Sequence, residues 1–521
     1  MPESTTAISI FNEVMGPVMR GCSSSHVAAA LRIGRMARNL VHDKPKSATV
    51  TFDSNEALCQ SYDGQGSAMG FVGGLLGYEP DSPLLPAARE DAPKLGVQVD
   101  FRVEDIPTNH PNTYLIDLQG QHGEPIFMEA VSLGGGAIEI RNIAGAAVAM
   151  RGDAYVTLML QKNAISRADL ESILPDYQSL SVSEGDQGTL NIIQTLSPLK
   201  EEQKAALQQR ASGQCFFIAP VMPVLANTDA VPFNTAQAML AQDGAAEKSL
   251  FSLACQYESA RSGCSTDELV SMMRDIGRVM KTGISTGTAG TTYPDRILPA
   301  QSPLAKNLQG NPLLGGGMQR TIAYVAALMD CKSAMEVIVA APTAGACGTL
   351  GGAVWAAADE LGKSEDDVAE ALLTAGIVGV FIAEQATFAG EEGGCQVECG
   401  SGGAMAAAAL VHMMGGNAQQ AVDAASMALQ NTLGLVCDTV GDRVEVPCMG
   451  RNIMAAVNAM ACAGMALAGF NKVIPLDEAI TAMKEVVGFI PLELRCTGLA
   501  GLAVTPTGKQ IFNSLHQKQS A

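Results

Sequence analysis

Three cysteines late in the chain have residue types and surroundings that suit metal binding. Cys395 lies in GGCQVECG, Cys437 in LGLVCDTVGD and Cys448 in VEVPCMGRN, at separations of 42 and 11 residues. Three thiolates can hold a [4Fe–4S] cluster and leave one of its irons able to bind a substrate oxygen as a Lewis acid. Spacing alone nevertheless favours buried structural cysteines, because these separations are not a short ligand pattern of the zinc type.

The composition indicates a cytoplasmic protein with neither nucleic acid nor membrane as a partner. The chain has 13 cysteines and begins without a basic segment followed by an apolar one, so we do not expect secretion or disulfides. A formal net charge of −20 without any basic tract argues against nucleic acid and anionic lipid. The uncharged stretch 453–470 is only mildly hydrophobic, so we predict a helix buried in a large core.

The first part of the chain, residues 1–150, is predicted to be an α+β domain. Strand patterns such as ATVTFDS at 48–54 are bounded by turn-forming residues, whereas residues 27–41 have helical periodicity. These elements must position any polar residues of this part that do chemistry.

Two shorter segments and one long one follow. Residues 151–198 have β-α-β character, and the prolines that end at Pro232 predict a linker over 199–232. From 233 to 521, alanine-, leucine- and methionine-rich helical stretches alternate with glycine-rich turns, which predicts an all-α domain. The three cysteines fall in or beside those turns, where backbone N–H groups can approach a cluster.

Two sets of motifs occur in a fixed order along nearly the whole chain. The first set is GPVMRGCSSSHVAAALRIGRMAR at 16–38, HPNT at 110–113 and SLGGGAIEI at 132–140. The second is APTAGACG at 341–348, GCQVECGSGGAMAAAALV and LGLVCDTVGDRVEVPC. Together they resemble the β and α chains, in that order, of the iron–sulfur L-serine dehydratases. The resemblance implies a fused β-like domain, an ACT-like region at 151–198 and an α-like domain that carries the cluster.

The resemblance also implies roles for particular residues. It makes Cys395, Cys437 and Cys448 the cluster ligands. It implies that the serines and the histidine of the SSSH segment hold the substrate's carboxylate and that the other residues lie in the same pocket. The full set of substrate-binding residues is Ser23, Ser24, Ser25, His26, Gln65, Thr343 and Gly345. The base that removes a proton from the substrate has two candidates on position alone, which are His26 and Tyr62.

Departures from the family's motifs cluster around the expected pocket. Cys22 stands where the family usually has proline, Val27 where it has threonine, and Gln65 where it has histidine. A neutral amide cannot be a general base, so either another group takes the proton or the family's histidine serves only to bind substrate. The family often ends in a cysteine that reaches the cluster, whereas this chain ends in LHQKQSA. Whether Cys496, its last cysteine, has that role is left open by the sequence.

We therefore expect a [4Fe–4S]-dependent lyase that converts L-serine to pyruvate and ammonia and assembles as a homodimer. One alternative is the same chemistry on threonine, cysteine or another β-substituted amino acid, which the pocket departures motivate. The other is a non-catalytic iron–sulfur sensor whose pocket binds an effector.

Overall fold

A computed structural model describes residues 7–41, 44–222, 231–294 and 296–519. Its N-terminal part mixes strands and short helices. The strands are β1 Val18–Arg20, β2 Pro45–Asp53, β3 Gln98–Glu104, β4 Thr113–Gly120, β5 Ile126–Gly134, β6 Ala137–Ile143 and β7 Ala146–Met150. The helices are α1 Ile10–Glu13, α2 Ala29–Arg38, α3 Ala57–Ser61, α4 Ser67–Leu76 and α5 Ala88–Lys94.

Six of these strands form one mixed sheet in the order β3-β2-β4-β5-β6-β7. Strands β2 and β3 run parallel, and the other neighbours are antiparallel. Val50 of β2 lies opposite Phe101 of β3 on one side and Ile116 of β4 on the other. Helix α2 lies against β5 and β6 and packs on α4. This part therefore has the mixed α and β character that the sequence predicts.

A second, smaller sheet follows in the chain. Its elements are β8 Tyr155–Gln161, α6 Arg167–Ile173, β9 Ser179–Gly185, β10 Gly188–Thr195, α7 Glu201–Arg210 and β11 Gln214–Ile218. The four strands are antiparallel in the order β11-β8-β10-β9. This β-α-β-β-α-β arrangement is that of a ferredoxin-like unit.

The prediction of a linker over 199–232 is wrong for its first half. Helix α7 and strand β11 lie in that range, and β11 forms the edge of the small sheet by pairing with β8. The sequence analysis missed β11 because its residues pair with residues 54 to 62 positions earlier in the chain, so the pairing leaves no local pattern. Residues 223–230 of the predicted linker lie outside the described residues.

The C-terminal part is helical, as predicted, apart from the short strand β12 Val337–Val339. Its helices are α8 Ala236–Leu240, α9 Leu250–Ser262, α10 Thr266–Ala289, α11 Gly316–Ser333, α12 Cys347–Leu361, α13 Glu365–Gln385, α14 Gly390–Gly393, α15 Ser401–Met413, α16 Ala418–Gln430, α17 Cys448–Leu467, α18 Leu476–Val487 and α19 Pro506–Gln519.

Helix α15 is the centre of the helical part. Its residues from Ser401 to Val411 are all buried, and it packs against α12, α13, α16 and α17. Alanine and glycine supply much of that buried surface, which lets the surrounding helices approach closely. Across the described residues, no helix is both long enough and apolar enough to span a membrane.

The N-terminal part and the helical part share hydrogen bonds. Strand β1 pairs antiparallel with β12, with Met19 opposite Ile338. At the start of α1, the hydroxyl of Ser9 donates to Oε1 of the buried Glu258 at 2.9 Å, and the amide of Ile10 donates to its Oε2 at 2.8 Å. These contacts fix the N-terminal segment against the helices before the chain reaches Ser23.

Two glycines allow α2 and α4 to cross in close contact. A Cβ at Gly74 of α4 would collide with the backbone carbonyl of Leu31, and one at Gly34 of α2 would collide with that of Phe71. Because backbone atoms are on the other side of both contacts, no side-chain rotation can relieve such a collision.

We expect Gly74→Ala to lower the free energy of unfolding by about 1–3 kcal/mol, the usual cost of an overpacked interior. The matched control is Gly464→Ala in the interior of α17, where a Cβ meets nothing within 4 Å. This control should raise the free energy of unfolding by about 0.5–1 kcal/mol through helix propensity. Denaturant titration of both variants measures the difference, and equal effects would contradict the close crossing.

Candidate active site

The serine-rich segment before α2 is a buried π-helical turn, Ser24–Ala28. The Ser23 hydroxyl accepts from the His26 amide at 3.4 Å, which caps the start of the turn. The Ser24 hydroxyl accepts from the Ala344 amide at 3.0 Å, so this segment meets the 3₁₀ turn Ala344–Ala346 of the helical part. The predicted residues Ser24 and Gly345 are thereby brought to the same place.

His26 is fully buried and both ring nitrogens have partners. Nδ1 lies 3.1 Å from the Ser23 hydroxyl and 3.2 Å from Oε1 of Glu391, while Nε2 lies 2.7 Å from the Ser61 hydroxyl. The Ser61 hydroxyl in turn contacts the carbonyl of Ala57 in α3. The sequence analysis missed Ser61 and Glu391, since neither lies in a motif with an assigned role.

Glu391 in α14 links the helical part to the serine segment. Its Oε1 accepts from the Ser25 hydroxyl at 2.6 Å, and only 3% of the residue is exposed. Burial acts to raise the pKa of Glu391, but hydrogen bonds from His26 and Ser25 outweigh it and bring the pKa to about 2. The carboxylate is therefore ionised at neutral pH.

Two of the three predicted cluster ligands lie together in a buried region beside α14. Cys395 and Cys437 form one buried group with Cys496, whose sulfur lies 2.7 Å from that of Cys437. The backbone holds this pair together, because the Cys496 amide donates to the Cys437 carbonyl at 3.0 Å. Cys496 has a φ of +62°, a conformation that side-chain-bearing residues rarely adopt.

Cys448 and Cys399 flank this group. Cys448 is the first residue of α17, and the buried Asn452 side chain donates to its carbonyl at 2.9 Å. The same Asn452 amide lies 3.6 Å from the Cys399 sulfur and 2.8 Å from the Gly345 carbonyl. One asparagine therefore connects two cysteines with the turn that also contacts Ser24.

Cys395 has the environment of a thiolate. Hydrogen bonds from the thiols of Cys399 and Cys437, together with the Arg451 guanidinium, hold the pKa of Cys395 well below its usual range. Arg451 lies 3.4 Å from the Cys395 sulfur and is held by Asp438 at 2.7 Å. Thiolates are the form in which cysteines bind metals, so the site is prepared for a cation.

Glu398 is a second acidic group that the sequence analysis missed, although it lies within the GCQVECG motif. One carboxylate oxygen lies within 4.8 Å of the sulfurs of both Cys395 and Cys437. The Thr343 hydroxyl donates to its Oε1 at 2.7 Å. Loss of bulk water, with the nearby charges of Cys395 and Glu391, raises the pKa of Glu398 to about 8.

Two glycines make room for this carboxylate. A Cβ at Gly345 would lie 2.6 Å from Oε1 of Glu398, and one at Gly390 would lie 2.6 Å from Oε2. Any larger residue at either position would displace the acid. Glu398 thus lies in a space bounded by the motif turn, α14 and the cysteines.

Gln65 and Tyr62, two of the predicted site residues, have different surroundings: Gln65 has an unpartnered amide nitrogen among the described residues, whereas Tyr62 packs against an aromatic ring. Gln65 is 2% exposed, and its side-chain Nε2 has no hydrogen-bond partner among the described residues. The backbone carbonyl of Gln65 accepts a hydrogen bond from the Cys22 thiol at 3.2 Å. A cavity of about 190 Å³ next to it is lined in part by Cys22 and Gly66. The Tyr62 ring packs 4.9 Å from that of Phe52 in the core of the sheet.

The arrangement combines buried thiols, a carboxylate between them and a capped turn that can bind an anion. The chemistry of the donor set fits an iron–sulfur cluster, since several cysteines converge and the pKa of one, Cys395, is held well below its usual range. Helix N-termini with serine hydroxyls are common sites for carboxylates. The region can therefore hold a metal group and a small acid side by side.

Comparison with known proteins identifies the family. Residues 200–503 match the family model described as the serine dehydratase alpha chain, so the chain belongs to that family. It is 42% identical over 227 residues to the probable L-serine dehydratase alpha chain of Bacillus subtilis, covering 43% of this chain and 74% of that one. It is 43% identical over 202 residues to the L-serine dehydratase alpha chain of Peptoniphilus asaccharolyticus, covering 39% and 69%. It is 36% identical over 151 residues to the probable L-serine dehydratase beta chain of Bacillus subtilis, a match that covers 29% of this chain and 67% of that one.

In metal-free protein, we expect oxidised glutathione to link Cys437 and Cys496. The two thiols lose two protons and pass two electrons to the glutathione disulfide through a mixed-disulfide intermediate. Peptide mapping by mass spectrometry without reductant should recover the two peptides as one cross-linked species. Cys462, buried in α17 away from this pair, should remain a free thiol, and Cys496→Ser should abolish the cross-link. Separate peptides after complete oxidation would contradict the observed proximity.

Proposed function

We propose that this protein is an L-serine ammonia-lyase that converts L-serine to pyruvate and ammonia with the help of a [4Fe–4S] cluster. The observation that carries the proposal is the contact of the Ser23–His26 segment with the cysteine-bearing helical part through Ala344 and Glu391. The names of the relatives support serine as the substrate. They do not favour threonine, cysteine or a sensor function.

Cys395, Cys437 and Cys448 would hold the cluster. When bound, it supplies a Lewis acid that assists departure of the substrate's β-hydroxyl group. Arg451 balances the negative charge of the thiolates, and Asn452 fixes the segment around Cys448. Cys496 adds a further sulfur beside Cys437.

The serine segment binds the substrate carboxylate in this proposal. The hydroxyls of Ser23 and Ser25 and the amide groups at the start of the π-helical turn provide donors for an anion. In this proposal His26 holds the serine segment in position, because both of its ring nitrogens already have hydrogen-bond partners within the protein. Gln65 has a free amide donor in the same buried region, consistent with a substrate contact.

We propose Glu398 as the group that takes the proton from the substrate's Cα. It lies beside the cysteines, it accepts a hydrogen bond from Thr343, and it is not fully buried. The bonds of His26 to Ser61 and Glu391 leave that ring with a positioning role. The Tyr62 ring packs on Phe52, which also gives it a structural role. We therefore favour Glu398 as the base over His26 and Tyr62, the two candidates from the sequence.

The wider organisation is part of the proposal. The β-like and α-like domains would meet at this site, with the ferredoxin-like unit 155–218 in the place of an ACT-like region. All 13 cysteines are free thiols in the structure, which is consistent with a cytoplasmic location. A homodimer stays a prediction.

Protein purified without oxygen should contain about four irons per chain and release ammonia and pyruvate from L-serine. We expect Cys395→Ala, Cys437→Ala and Cys448→Ala to lose most of the iron, whereas the buried but distant Cys462→Ala should retain it. Iron analysis and an ammonia assay measure both properties. Stoichiometric zinc in place of iron would rule out the cluster, and iron-loaded protein that releases no ammonia would rule out the lyase.

Replacing the proposed base separates its role from substrate binding. We expect Glu398→Gln to lower kcat for L-serine by roughly 10²- to 10⁴-fold, as for loss of a general base, with KM and iron content little changed. Glu392→Gln, which removes a partly exposed carboxylate six residues earlier, is the matched control and should keep kcat. Unchanged turnover in Glu398→Gln would assign the proton transfer to another group.

A further inference from the structure

The second carboxylate oxygen of Glu391 is an unused acceptor in the buried site. We propose that Glu391 binds the α-ammonium group of the amino-acid substrate through Oε2. This inference rests on the proposed function and adds to it the group that distinguishes an amino acid from other small acids.

The hydrogen bonds of Glu391 are divided unequally between its two oxygens. Oε1 accepts from Ser25 at 2.6 Å and lies 3.2 Å from Nδ1 of His26. Oε2 is buried and has no hydrogen-bond partner among the described residues. A buried carboxylate oxygen without a donor is costly, so this atom requires a partner that the chain does not supply.

A cationic donor would satisfy both this oxygen and the negative charge of the carboxylate. Among the described residues, no lysine or arginine forms an ion pair with Glu391, and the basic group beside it is the imidazole of His26. An ammonium group supplies both the positive charge and N–H donors. A hydroxyl group in its place would supply one donor without the charge.

Other unpartnered polar atoms lie on the elements that face α14. Within the part of the chain that the structure describes, neither Nδ2 nor Oδ1 of Asn112 has a hydrogen-bond partner, and the buried Ser132 hydroxyl has none either. The loop that holds Asn112 reaches α14 through His110, which lies 3.4 Å from Glu392. Strand β5, which holds Ser132, approaches α14 closely at Gly134 and Ala389. The region around Glu391 therefore contains several buried polar atoms without hydrogen-bond partners among the described residues, as expected of a ligand site.

The position of Glu391 also orients the substrate. The same carboxylate bonds the Ser25 hydroxyl, and that serine belongs to the segment proposed to hold the substrate carboxylate. An amino acid anchored by both charged groups would have its Cα fixed between the serine segment and the cysteines. Glu398 lies close enough to Glu391 for the Glu391 charge to contribute to its raised pKa.

Equilibrium binding of two non-reacting ligands to the anaerobic holoenzyme tests the inference. L-Alanine and L-lactate have the same size and carboxylate, but alanine has an ammonium group where lactate has a hydroxyl group. Neither has a β-hydroxyl, so neither can be dehydrated. Wild-type protein should prefer alanine. Glu391→Gln should weaken alanine binding by roughly 10- to 150-fold, the loss of one hydrogen bond to a charged group, and should leave lactate binding unchanged.

Glu392→Gln is the control and should keep the preference for alanine. If Glu391→Gln weakens both ligands equally, the residue acts only by positioning Ser25 and His26, and the inference is overturned. A wild-type protein without preference, or a variant that keeps it, overturns it as well. L-Serine turnover by the wild-type protein is measured in parallel. Its absence contradicts the proposed function, whereas its presence with an unchanged ligand preference contradicts this inference alone.

Discussion

The buried contact of Glu391 with Ser25 and His26 is the interaction on which the site depends. It joins residues 366 positions apart in the chain, and it places the serine segment against the helices that carry the cysteines. Removing the Glu391 carboxylate would leave the buried donor on Ser25 without its acceptor, at a cost of about 1–3 kcal/mol. The contact therefore fixes the relative position of the two halves of the site as well as its charge.

The two reactive segments have the same local design. Ser24–Ala28 is a π-helical turn that continues into α2, and Gln396–Gly400 is one that continues into α15. Helix α2 is held by the six-stranded sheet, and α15 is the buried centre of the helical part. Single π turns are frequent at functional sites, where they displace backbone groups from the regular helical pattern. Each turn thus presents polar groups at the end of a helix that packs on several other elements.

Motifs in the sequence pointed to residues that the structure brings near one another, but not to the contacts between them. Cys395 and Cys437 are buried side by side, and Ser24 meets the turn of Gly345. Their roles as cluster ligands and substrate contacts stay predictions. Glu391 and Ser61 could not be predicted, because their roles come from tertiary contacts with His26. Glu398 lies inside a recognised motif, but its position beside the cysteines depends on tertiary contacts with Thr343 and with two glycines, which the motif does not reveal.

The fold shows the same limit. Helical periodicity and strand alternation predicted the division into a mixed part and a helical part. The pairing of β11 with β8 and of β1 with β12 depends on hydrogen bonds between distant segments, and these leave no local pattern. The closeness of Cys496 to Cys437 has the same origin, since the backbone bonds between their segments bring the two sulfurs together.

The central claim is that the serine segment and the cysteines form one site at which L-serine meets the metal. Mössbauer spectra of ⁵⁷Fe-labelled, anaerobic protein with and without L-serine test this claim most directly. The account predicts that L-serine shifts the signal of about one iron in four, since three thiolates leave one iron open. It also predicts a weakened shift in Ser25→Ala at equal iron content. Spectra that do not change on addition of serine would contradict the account.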